Sequence, residues 1–523
     1  MPSVKYNCKQ SLQEKILKGV DVLTDNVAST LGPRGRNVIL QQKDKSPFIT
    51  KDGVTVAKFV HLEDPFENVG AQILKQASEK TSHDAGDGTT TSTVLARAIL
   101  KQAQKYLIAG ISPIEIKRGI DKTVEAIVEN LKEQSRPVSS LEDVEHIATI
   151  SANGDKTIGK LIAKATDLCG KNGAITIEEA RSLETSLDIV EGFRFDSGYI
   201  ASAFVTDERR GAVKYDNPLI LVTDCGISSV EDILPALEVA ARDKKSLVIV
   251  ADEIEGQALA ALIMNTVRGT MRVAAVKAPR YGEERRGILN DLALSVGAEF
   301  ITRSSAMPLK DVKLEHLGTA KSFEALKHTT TIVDGAGDYE EIERRIESLQ
   351  AELSQTEDLS DCQKIQDRIT RLSSGIAIIK VGGATQVEVT EKKHRVEDAL
   401  EAVKSAQDEG IVAGGGVALI RCINEIDVEC DNEEQETGLK IILEAIKEPA
   451  RQMAINAGLS ADLVIEKIAN GGDNDGIDYA TNKIIDMYEE GVIDPVKVSR
   501  CALQNAASAA GTLLTTNYAI VEI

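Results

Sequence analysis

Tryptophan is absent from this chain, and the other aromatic side chains are scarce, with 8 Phe and 9 Tyr among 523 residues. Much of any core must therefore be built from Ala, Val, Ile and Leu. Long apolar runs are also missing, since no stretch approaches the ~18 apolar residues that a membrane-spanning helix needs. The N-terminal sequence MPSVKYNCKQ has no apolar signal core. These absences argue against a membrane protein and against a secreted one.

Cysteine is present without a pattern. The count is odd, no C-x-x-C pair occurs, and the residues are scattered: Cys8, Cys169, Cys225, Cys362, Cys422, Cys430 and Cys501. This argues against a disulfide framework or a zinc site and indicates a reducing compartment, so we expect a cytoplasmic protein.

Positive charge is in deficit, with 61 Lys and Arg against 82 Asp and Glu, which gives a formal net charge of -21. A polyanion of this kind is a poor partner for nucleic acid or for an anionic membrane surface. The six His residues form neither a metal-ligand pattern nor a catalytic triad pattern.

The length exceeds the ~250 residues at which a single core usually stops growing, so we expect two or three domains. Helical spacing of apolar residues marks segments 9–29, 64–83, 89–108 and 113–134, with short strands at 37–41 and 48–50. In the middle of the chain, the apolar runs 219–223, 247–251 and 273–277 alternate with the helical segments 229–242, 256–268 and 284–296. This alternation is typical of a parallel sheet with covering helices.

The remaining patterns complete an α/β block bracketed by helical blocks. Residues 339–373 predict a charged helical hairpin, 376–381 a strand, and 395–523 mainly helices. The simplest arrangement is a discontinuous base domain into which the middle of the chain is inserted.

The strongest local motif is Gly86-Asp87-Gly88-Thr89-Thr90-Thr91, which precedes an apolar helix. Its glycines allow a tight turn, and consecutive N–H groups at a helix start favour a phosphate. Asp87 has the ligand type that Mg²⁺ prefers. The alternative is an ordinary loop with a threonine N-cap, and no Walker A sequence occurs.

Three further glycine-rich stretches occur at 30–36, 50–53 and 413–416, and each is an ordinary turn when taken alone. Asp398 precedes a helical run and by itself is read as a solvated acid favoured by the helix dipole. The combination is what a nucleotide site needs: close backbone approaches, a cation and a carboxylate that orients water.

Several of these strings occur in an order similar to that of the group I chaperonins. They are TLGPRGRNV (30–38), TKDGVTVA (50–57), DAGDGTTTSTVLA (84–96), VKAPRYGEERR (276–286), VEDAL (396–400) and VAGGGVAL (412–419). The resemblance runs from about residue 4 to residue 520 and so covers nearly the whole chain.

The resemblance implies a multidomain GroEL-like fold with a discontinuous organisation. A mainly α equatorial ATP-binding domain would take residues 1–135 and 409–523. A small α/β intermediate domain would take 136–190 and 376–408, and an α/β apical domain 191–375. Gly192 and Gly375 match the family hinge positions, where backbone permissiveness is needed.

The resemblance also assigns roles around ATP and Mg²⁺, and leaves K⁺ open. Asp87 would hold the metal, Asp398 would activate water, and Asp52 would assist. The other positions that match nucleotide-binding residues are Thr30, Leu31, Gly32, Pro33, Lys51, Gly88, Thr89, Thr90, Thr91, Gly414, Gly415, Asp478, Ala480 and Asp494. Tyr479 replaces a usual small residue near the base, which we expect to alter the nucleotide fit.

In the apical domain, exposed apolar residues would bind non-native proteins by burial. The matching positions are Tyr199, Phe204, Leu234, Leu237, Leu259, Ile263 and Met264. The alternative is that these residues form the core of the α/β domain, and without the family the core is favoured for Leu237 and Leu259.

The resemblance implies an ATPase that acts as a folding chaperone in a homo-oligomeric ring, typically of seven subunits, single or double. A GroES-type lid would share the apical groove. Two other functions compete: a ring-shaped scaffold that has lost hydrolysis, and an ATP-dependent enzyme such as a kinase. The three acids Asp52, Asp87 and Asp398 argue against the scaffold, and no separate acceptor site supports the kinase.

Overall fold

The computed structural model describes residues 4–42, 47–169, 174–180, 182–303, 307–356, 358–373 and 375–522. Internal contacts divide the chain into two compact units. The first unit comprises the chain up to Lys164, Glu179–Thr185 and everything from Val381 onward, and the second comprises Ala165–Glu178 and Ser186–Lys380. The middle of the chain is therefore inserted into a unit built from both ends, as the sequence predicts. A further division of the first unit into two domains stays a prediction.

Helices dominate the first unit. In its N-terminal part they are α1 (Lys9–Ala28), α2 (Gly53–Phe59), α3 (Pro65–Ala85), α4 (Thr89–Ile108), α5 (Pro113–Glu133), α6 (Leu141–Ser151) and α7 (Lys156–Cys169), the last of which runs into the second unit.

Helices α1 and α3 cross at a glycine on each partner. Helix α1 meets α3 at Gly19 and Gly70, where an added Cβ would lie 1.8 Å from the Glu67 carbonyl oxygen and 2.5 Å from that of Ile16. Such backbone contact requires the absence of a side chain, so glycine sets the spacing of the helices.

Strands in the first unit form small antiparallel ribbons. They are β1 (Val4–Cys8) with β19 (Tyr518–Glu522), β2 (Val38–Leu40) with β3 (Phe48–Thr50), β15 (Ile411–Ala413) with β18 (Ile493–Pro495), and β16 (Asp475–Asp478) with β17 (Lys483–Asp486). The chain termini are thus paired with each other.

The remaining helices of the first unit are α13 (Gln386–Glu409), α14 (Val417–Glu425), α15 (Glu433–Ala445), α16 (Glu448–Asn456), α17 (Ala461–Asn470) and α18 (Val496–Leu514). Helix α15 crosses α5 at Gly438 and Gly119, where an added Cβ would lie 2.4 Å from the Ile116 carbonyl oxygen and 2.1 Å from that of Gln435.

The second unit is built around one large sheet. Its strands are β4 (Ala174–Glu179), β5 (Ser186–Phe195), β6 (Val213–Asp216), β7 (Leu219–Val222), β9 (Leu247–Ala251), β11 (Val273–Lys277), β12 (Gly318–Ala325), β13 (Thr330–Gly335) and β14 (Gly375–Val381). The sheet order is β11-β9-β7-β12-β13-β5-β14-β4, with β6 paired to β12, and a separate parallel pair joins β8 (Gly226–Ile227) to β10 (Glu253–Ile254).

This sheet is mixed, so the prediction of a parallel sheet is correct only in part. Strands β7, β9 and β11 are parallel, whereas β12, β13, β5 and β14 pair antiparallel. The helices are α8 (Val230–Asp243), α9 (Gly256–Val267), α10 (Gly282–Val296), α11 (Tyr339–Gln355) and α12 (Leu359–Ser373). Helices α11 and α12 form the predicted hairpin, held by a cluster of Leu349, Ile365 and Ile369.

No helix in the described ranges is both long enough and apolar enough to cross a bilayer.

Candidate functional site

The glycine-rich turns that are scattered in the sequence meet at one cavity in the first unit. The cavity encloses about 370 Å³, which lies within the ~300–1,000 Å³ typical of small-molecule sites. Among the predicted residues, those that line it are Thr30, Leu31, Gly32, Pro33, Lys51, Asp52, Asp87, Gly88, Thr89, Thr90, Thr91, Asp398, Gly415, Asp478, Ala480 and Asp494.

The start of helix α4 presents backbone N–H groups to the cavity. Helix α3 stops at Gly86 with φ 75°, and Gly88, with φ 88°, is the N-cap of α4 and brings no side chain to cap it. An unfilled helix N-terminus is a ready anion site because its first N–H groups lack intrahelical partners and the dipole favours negative charge. The hydroxyls of Thr30 and Thr90 lie 3.4 Å apart beside this turn.

Carboxylates crowd the same cavity. The Gly88 N–H donates to Asp87 Oδ1 at 2.6 Å, and the Ser151 hydroxyl donates to Asp87 Oδ2 at 3.2 Å. Burial raises the pKa of Asp87, and the nearby Asp52 carboxylate raises it further. Burial also raises the pKa of Asp494 to about 6, with the Asp87 charge as the second cause. A bound cation would relieve both the burial cost and the repulsion.

Asp52 has a structural task as well. It is the N-cap of α2, where its carboxylate accepts from the N–H groups of Val54 at 3.0 Å and Thr55 at 3.1 Å. These two hydrogen bonds at the start of α2 fix the direction of the Asp52 carboxyl group at the cavity wall.

Two cationic side chains border the acids. Lys51 Nζ donates to the Gly32 carbonyl at 3.1 Å and to Asn153 Oδ1 at 2.9 Å. Burial lowers the pKa of Lys51, and the Arg395 guanidinium lowers it further. Arg395 pairs with Asp155 at 3.2 Å. Arg395 also pairs with Glu391 at 2.8 Å. An anionic ligand in the cavity would therefore meet a preplaced positive charge on Lys51.

Another part of the lining is apolar and includes Leu31, Pro449, Met453, Ile477, Tyr479 and Ile493. The Arg34 guanidinium donates to the Ala480 carbonyl at 2.6 Å, which fixes the loop after β16. Asp478 caps that loop by accepting from the Ala480 N–H at 2.8 Å and the Thr481 hydroxyl at 2.6 Å. The cavity thus combines a charged region with an apolar one, as a nucleotide requires.

Of the predicted nucleotide-binding residues, Gly414 alone lies outside the cavity lining. Its N–H donates to the Val492 carbonyl at 2.9 Å, and an added Cβ would lie 2.9 Å from that same oxygen. Gly414 therefore allows the close approach of two cavity segments, while its neighbour Gly415, with φ 63°, faces the cavity.

Sequence reasoning missed several lining residues. Ser151 is the last residue of helix α6 and contacts Asp87, 64 positions away in sequence. Asn153 follows that helix and contacts Lys51, 102 positions away. Arg395 directly precedes the VEDAL string and belongs to no motif of its own. Asn153 has a left-handed backbone, with φ 59°, but this conformation cannot be recognised from the sequence.

No three His, Cys, Asp or Glu side chains within the described ranges converge to hold a metal ion by themselves. This arrangement still fits Mg²⁺, which usually keeps waters and takes one or two carboxylates together with substrate phosphates. Asp87 would be the protein ligand, because its carboxyl group is buried at the cavity and burial raises its pKa, a cost that a bound cation would offset.

Comparison with known proteins decides the family. Residues 23–523 match the TCP-1/cpn60 chaperonin family. The chain belongs to that family. This chaperonin also resembles the crystal structure of the chaperonin gp146 from the bacteriophage EL 2 (Pseudomonas aeruginosa), solved in the presence of ATP-BeFx, with a TM-score of 0.68 and 21% identity over 99% of both chains. The resemblance read from the motifs and the multidomain GroEL-like fold are confirmed.

The chaperonin's predicted client-binding residues are divided between surface and core of the second unit. Leu234 and Met264 are each 46% exposed, and Tyr199, Leu259 and Ile263 are half-buried. Phe204 and Leu237, at 0% and 7% exposure, lie in the core, so the expectation that they face a client is wrong for this structure. Leu237 shares its helix face with other core residues, and Phe204 sits in a one-turn segment packed on α9.

The predicted hinge glycines lie on paired strands, Gly192 on β5 and Gly375 on β14. Gly375 pairs with Glu191, the residue before Gly192. Neither has a positive φ. An added Cβ at Gly192 would lie 1.9 Å from Ile376 Cδ1 and 2.5 Å from the Ile332 carbonyl oxygen. Close packing, rather than an unusual backbone angle, therefore requires glycine at position 192. The hinge role stays a prediction.

Proposed function

We propose that this chaperonin is a Mg²⁺-dependent ATPase that uses hydrolysis to drive domain movements, promoting the folding of non-native polypeptides and preventing their aggregation. The observation that carries the proposal is the convergence of four separate glycine-rich turns and the acids Asp52, Asp87, Asp398 and Asp494 on one cavity. The related gp146 was crystallised with a nucleotide analogue, ATP-BeFx, which supports the same ligand class here.

The charged part of the cavity would hold the phosphates. The N–H groups at the α4 start and the hydroxyls of Thr89, Thr90 and Thr91 would cradle phosphate oxygens, and Lys51 would neutralise charge. Asp87 would hold Mg²⁺, which would supply positive charge to neutralise the phosphates. The family resemblance leaves open whether K⁺ is a second cation. Phosphoryl transfer is mainly positioning and electrostatic stabilisation, so this set of groups suits it.

The other proposed roles are those that the family resemblance implies, and the positions of these residues in the cavity lining support them. Asp398, on α13, would orient the attacking water, with Asp52 assisting. The loop of Asp478 and Ala480 would contact the base, and Asp494 the ribose. Thr30, Leu31, Gly32, Pro33 and Gly415 would close the remaining wall.

We further propose that Gly192 and Gly375 act as hinges between the apical part, 191–375, and the intermediate part, 136–190 and 376–408. The equatorial part, 1–135 and 409–523, would form the ring contacts of a homo-oligomer, seven-membered and single or double. Large apolar side chains exposed on the β1–β19 and β2–β3 ribbons support a subunit contact there: Tyr6, Ile39, Ile49, Tyr518 and Ile520.

In the apical part, Leu234 and Met264 would bind exposed apolar segments of clients, and a GroES-type lid would compete for the same surface. Val267, which is not among the predicted client-binding residues, is 68% exposed at the end of α9 and extends this surface.

Phosphate release by the purified chain with Mg²⁺ and ATP tests the proposal. Asp398→Ala should still bind ATP, while the turnover falls about 10²-fold or more because the water is no longer activated. Asp408→Ala, on the same helix but paired with Lys497 and outside the cavity lining, is the matched control and should keep normal turnover.

Wild-type turnover in Asp398→Ala would refute the role of Asp398. A wild-type chain that releases no phosphate would instead favour the ring-shaped scaffold.

A further inference from the structure

Tyr479 is a buried phenol in the wall of the cavity. It follows strand β16, is 3% exposed, and packs in a cluster that includes Val417, Ala450 and Met487. Its hydroxyl lies 3.3 Å from the carbonyl oxygen of Gly415 and 3.3 Å from that of Ala450. A phenol has one proton to donate, so the two carbonyls share it.

These two carbonyls belong to separate segments of the cavity lining. Gly415 lies in the turn before α14 with φ 63°, and an added Cβ there would be 3.4 Å from Tyr479 Cε2. Ala450 lies in the first turn of α16, between the lining residues Pro449 and Met453. Tyr479 itself sits between the lining residues Asp478 and Ala480. One buried hydroxyl therefore ties three wall segments together.

The segments that Tyr479 joins supply apolar lining, whereas the groups suited to binding phosphate come from residues 86–91 and Lys51. A wall fixed by a buried hydrogen bond keeps its shape, and a pocket of fixed shape discriminates between ligands. Without the hydroxyl, the Gly415 and Ala450 carbonyls would lose the hydrogen bond that links them, and the segments would be free to separate.

We propose that Tyr479 is a positioning residue that fixes the apolar wall of the cavity and so sets the affinity and selectivity for the base of a nucleoside triphosphate. The inference rests on the proposed function and deepens it. Burial raises the pKa of Tyr479, so the phenol stays a donor throughout the physiological range and its effect is independent of pH.

The test compares wild type, Tyr479→Phe and Tyr488→Phe. Tyr488 is a half-buried tyrosine of the same unit and is not in the cavity lining. The guanidinium carbon of Arg136 lies 3.8 Å from the centre of the Tyr488 ring. Tyr479→Phe should weaken MgATP binding about 3- to 10-fold, the effect of one lost hydrogen bond. The KM should rise by the same factor at unchanged kcat, and the ratio of the Kd for MgGTP to that for MgATP should fall. Tyr488→Phe should match wild type.

A second variant approaches the same contact from the other side. In Gly415→Ala the left-handed backbone is strained, and the new methyl group presses on Tyr479 and on Met487, whose Cε would be 3.1 Å away. MgATP binding should again weaken. In the double variant the losses should not add, because both changes disturb one contact.

Several results would overturn the inference while leaving the proposed function intact: an unchanged Kd for MgATP in Tyr479→Phe, a loss confined to kcat, additive losses in the double variant, or an equal loss in Tyr488→Phe. A wild-type chain that binds no MgATP would overturn the proposed function, and this inference with it.

Discussion

At the scale of single residues, Asp494 shows what the cavity costs the fold. Its carboxyl group is buried beside Asp87. Burial and, second, the Asp87 charge raise its pKa from 3.8 to about 6. Between these two pKa values the native chain binds the proton and the unfolded chain does not. Stability that is present below pH ~4 is therefore lost as the pH rises through about 6.

This sign gives a prediction for Asp494→Asn. The amide keeps an acceptor but removes the charge, so the nucleotide-free chain should be more stable at pH 8 by on the order of 1–3 kcal/mol, with a smaller gain at pH 5. Urea unfolding at the two pH values measures it. Asp473→Asn, which changes an exposed carboxylate of the same unit, should show no such gain. An equal gain at both pH values would contradict the assignment.

The site could be predicted from sequence only where its residues stand in motifs. The turns at 30–33, 50–53 and 86–91 each carry glycine or threonine in a short pattern, and they line the cavity. Ser151 carries no such pattern, and the family resemblance marks Tyr479 only as a departure from a usual small residue. The contacts of both residues are with partners far away in the chain: Asp87, Gly415 and Ala450. Long-range contacts of this kind leave no local signature.

At the scale of elements, the glycine pairs set how closely helices cross. In Gly438→Ala, the new Cβ would lie 2.4 Å from the Ile116 carbonyl oxygen, so α5 and α15 must move apart. We expect a loss of about 2–4 kcal/mol in the free energy of unfolding, which is the range of a disturbed core contact.

Gly511→Ala is the matched control for this prediction. Gly511 also lies within a helix, α18, but the three atoms nearest to its added Cβ all belong to the flexible side chain of Lys117, the nearest at 3.2 Å. There the higher helix propensity of Ala should leave stability unchanged or raise it by up to ~1 kcal/mol. Equal losses at both positions would show that helix crossing is not the cause.

Elements were predicted better than their surroundings. The helix at 89–108 and the strands at 247–251 and 273–277 begin and end as the sequence predicts, because glycine, proline or charge marks their limits. Helical spacing on α8 did not separate Leu234, which is exposed, from Leu237, which is buried, since both are apolar and one turn apart. Which face a helix buries depends on the sheet beneath it.

At the scale of the whole molecule, the proposed function needs an energy-using unit and a client-binding unit that can be disabled separately. Leu234, Met264 and Val267 are exposed on α8 and α9 of the second unit, whereas the cavity lies in the first. The triple change Leu234→Ser, Met264→Ser, Val267→Ser removes apolar surface without emptying the core. It should abolish the suppression of aggregation of a denatured protein while phosphate release continues, because client binding is driven by apolar burial.

The control variant changes a core residue of the same helix instead of surface residues. Leu262→Ser lies on the same helix α9 but at 0% exposure, so it should destabilise the second unit by several kcal/mol through a cavity and a buried hydroxyl. Light scattering of the client, phosphate release and thermal unfolding together separate the two effects. If the triple variant still suppresses aggregation at wild-type concentrations, the clients bind elsewhere. If instead it loses ATP turnover, the two functions are not carried by separate surfaces of the chain.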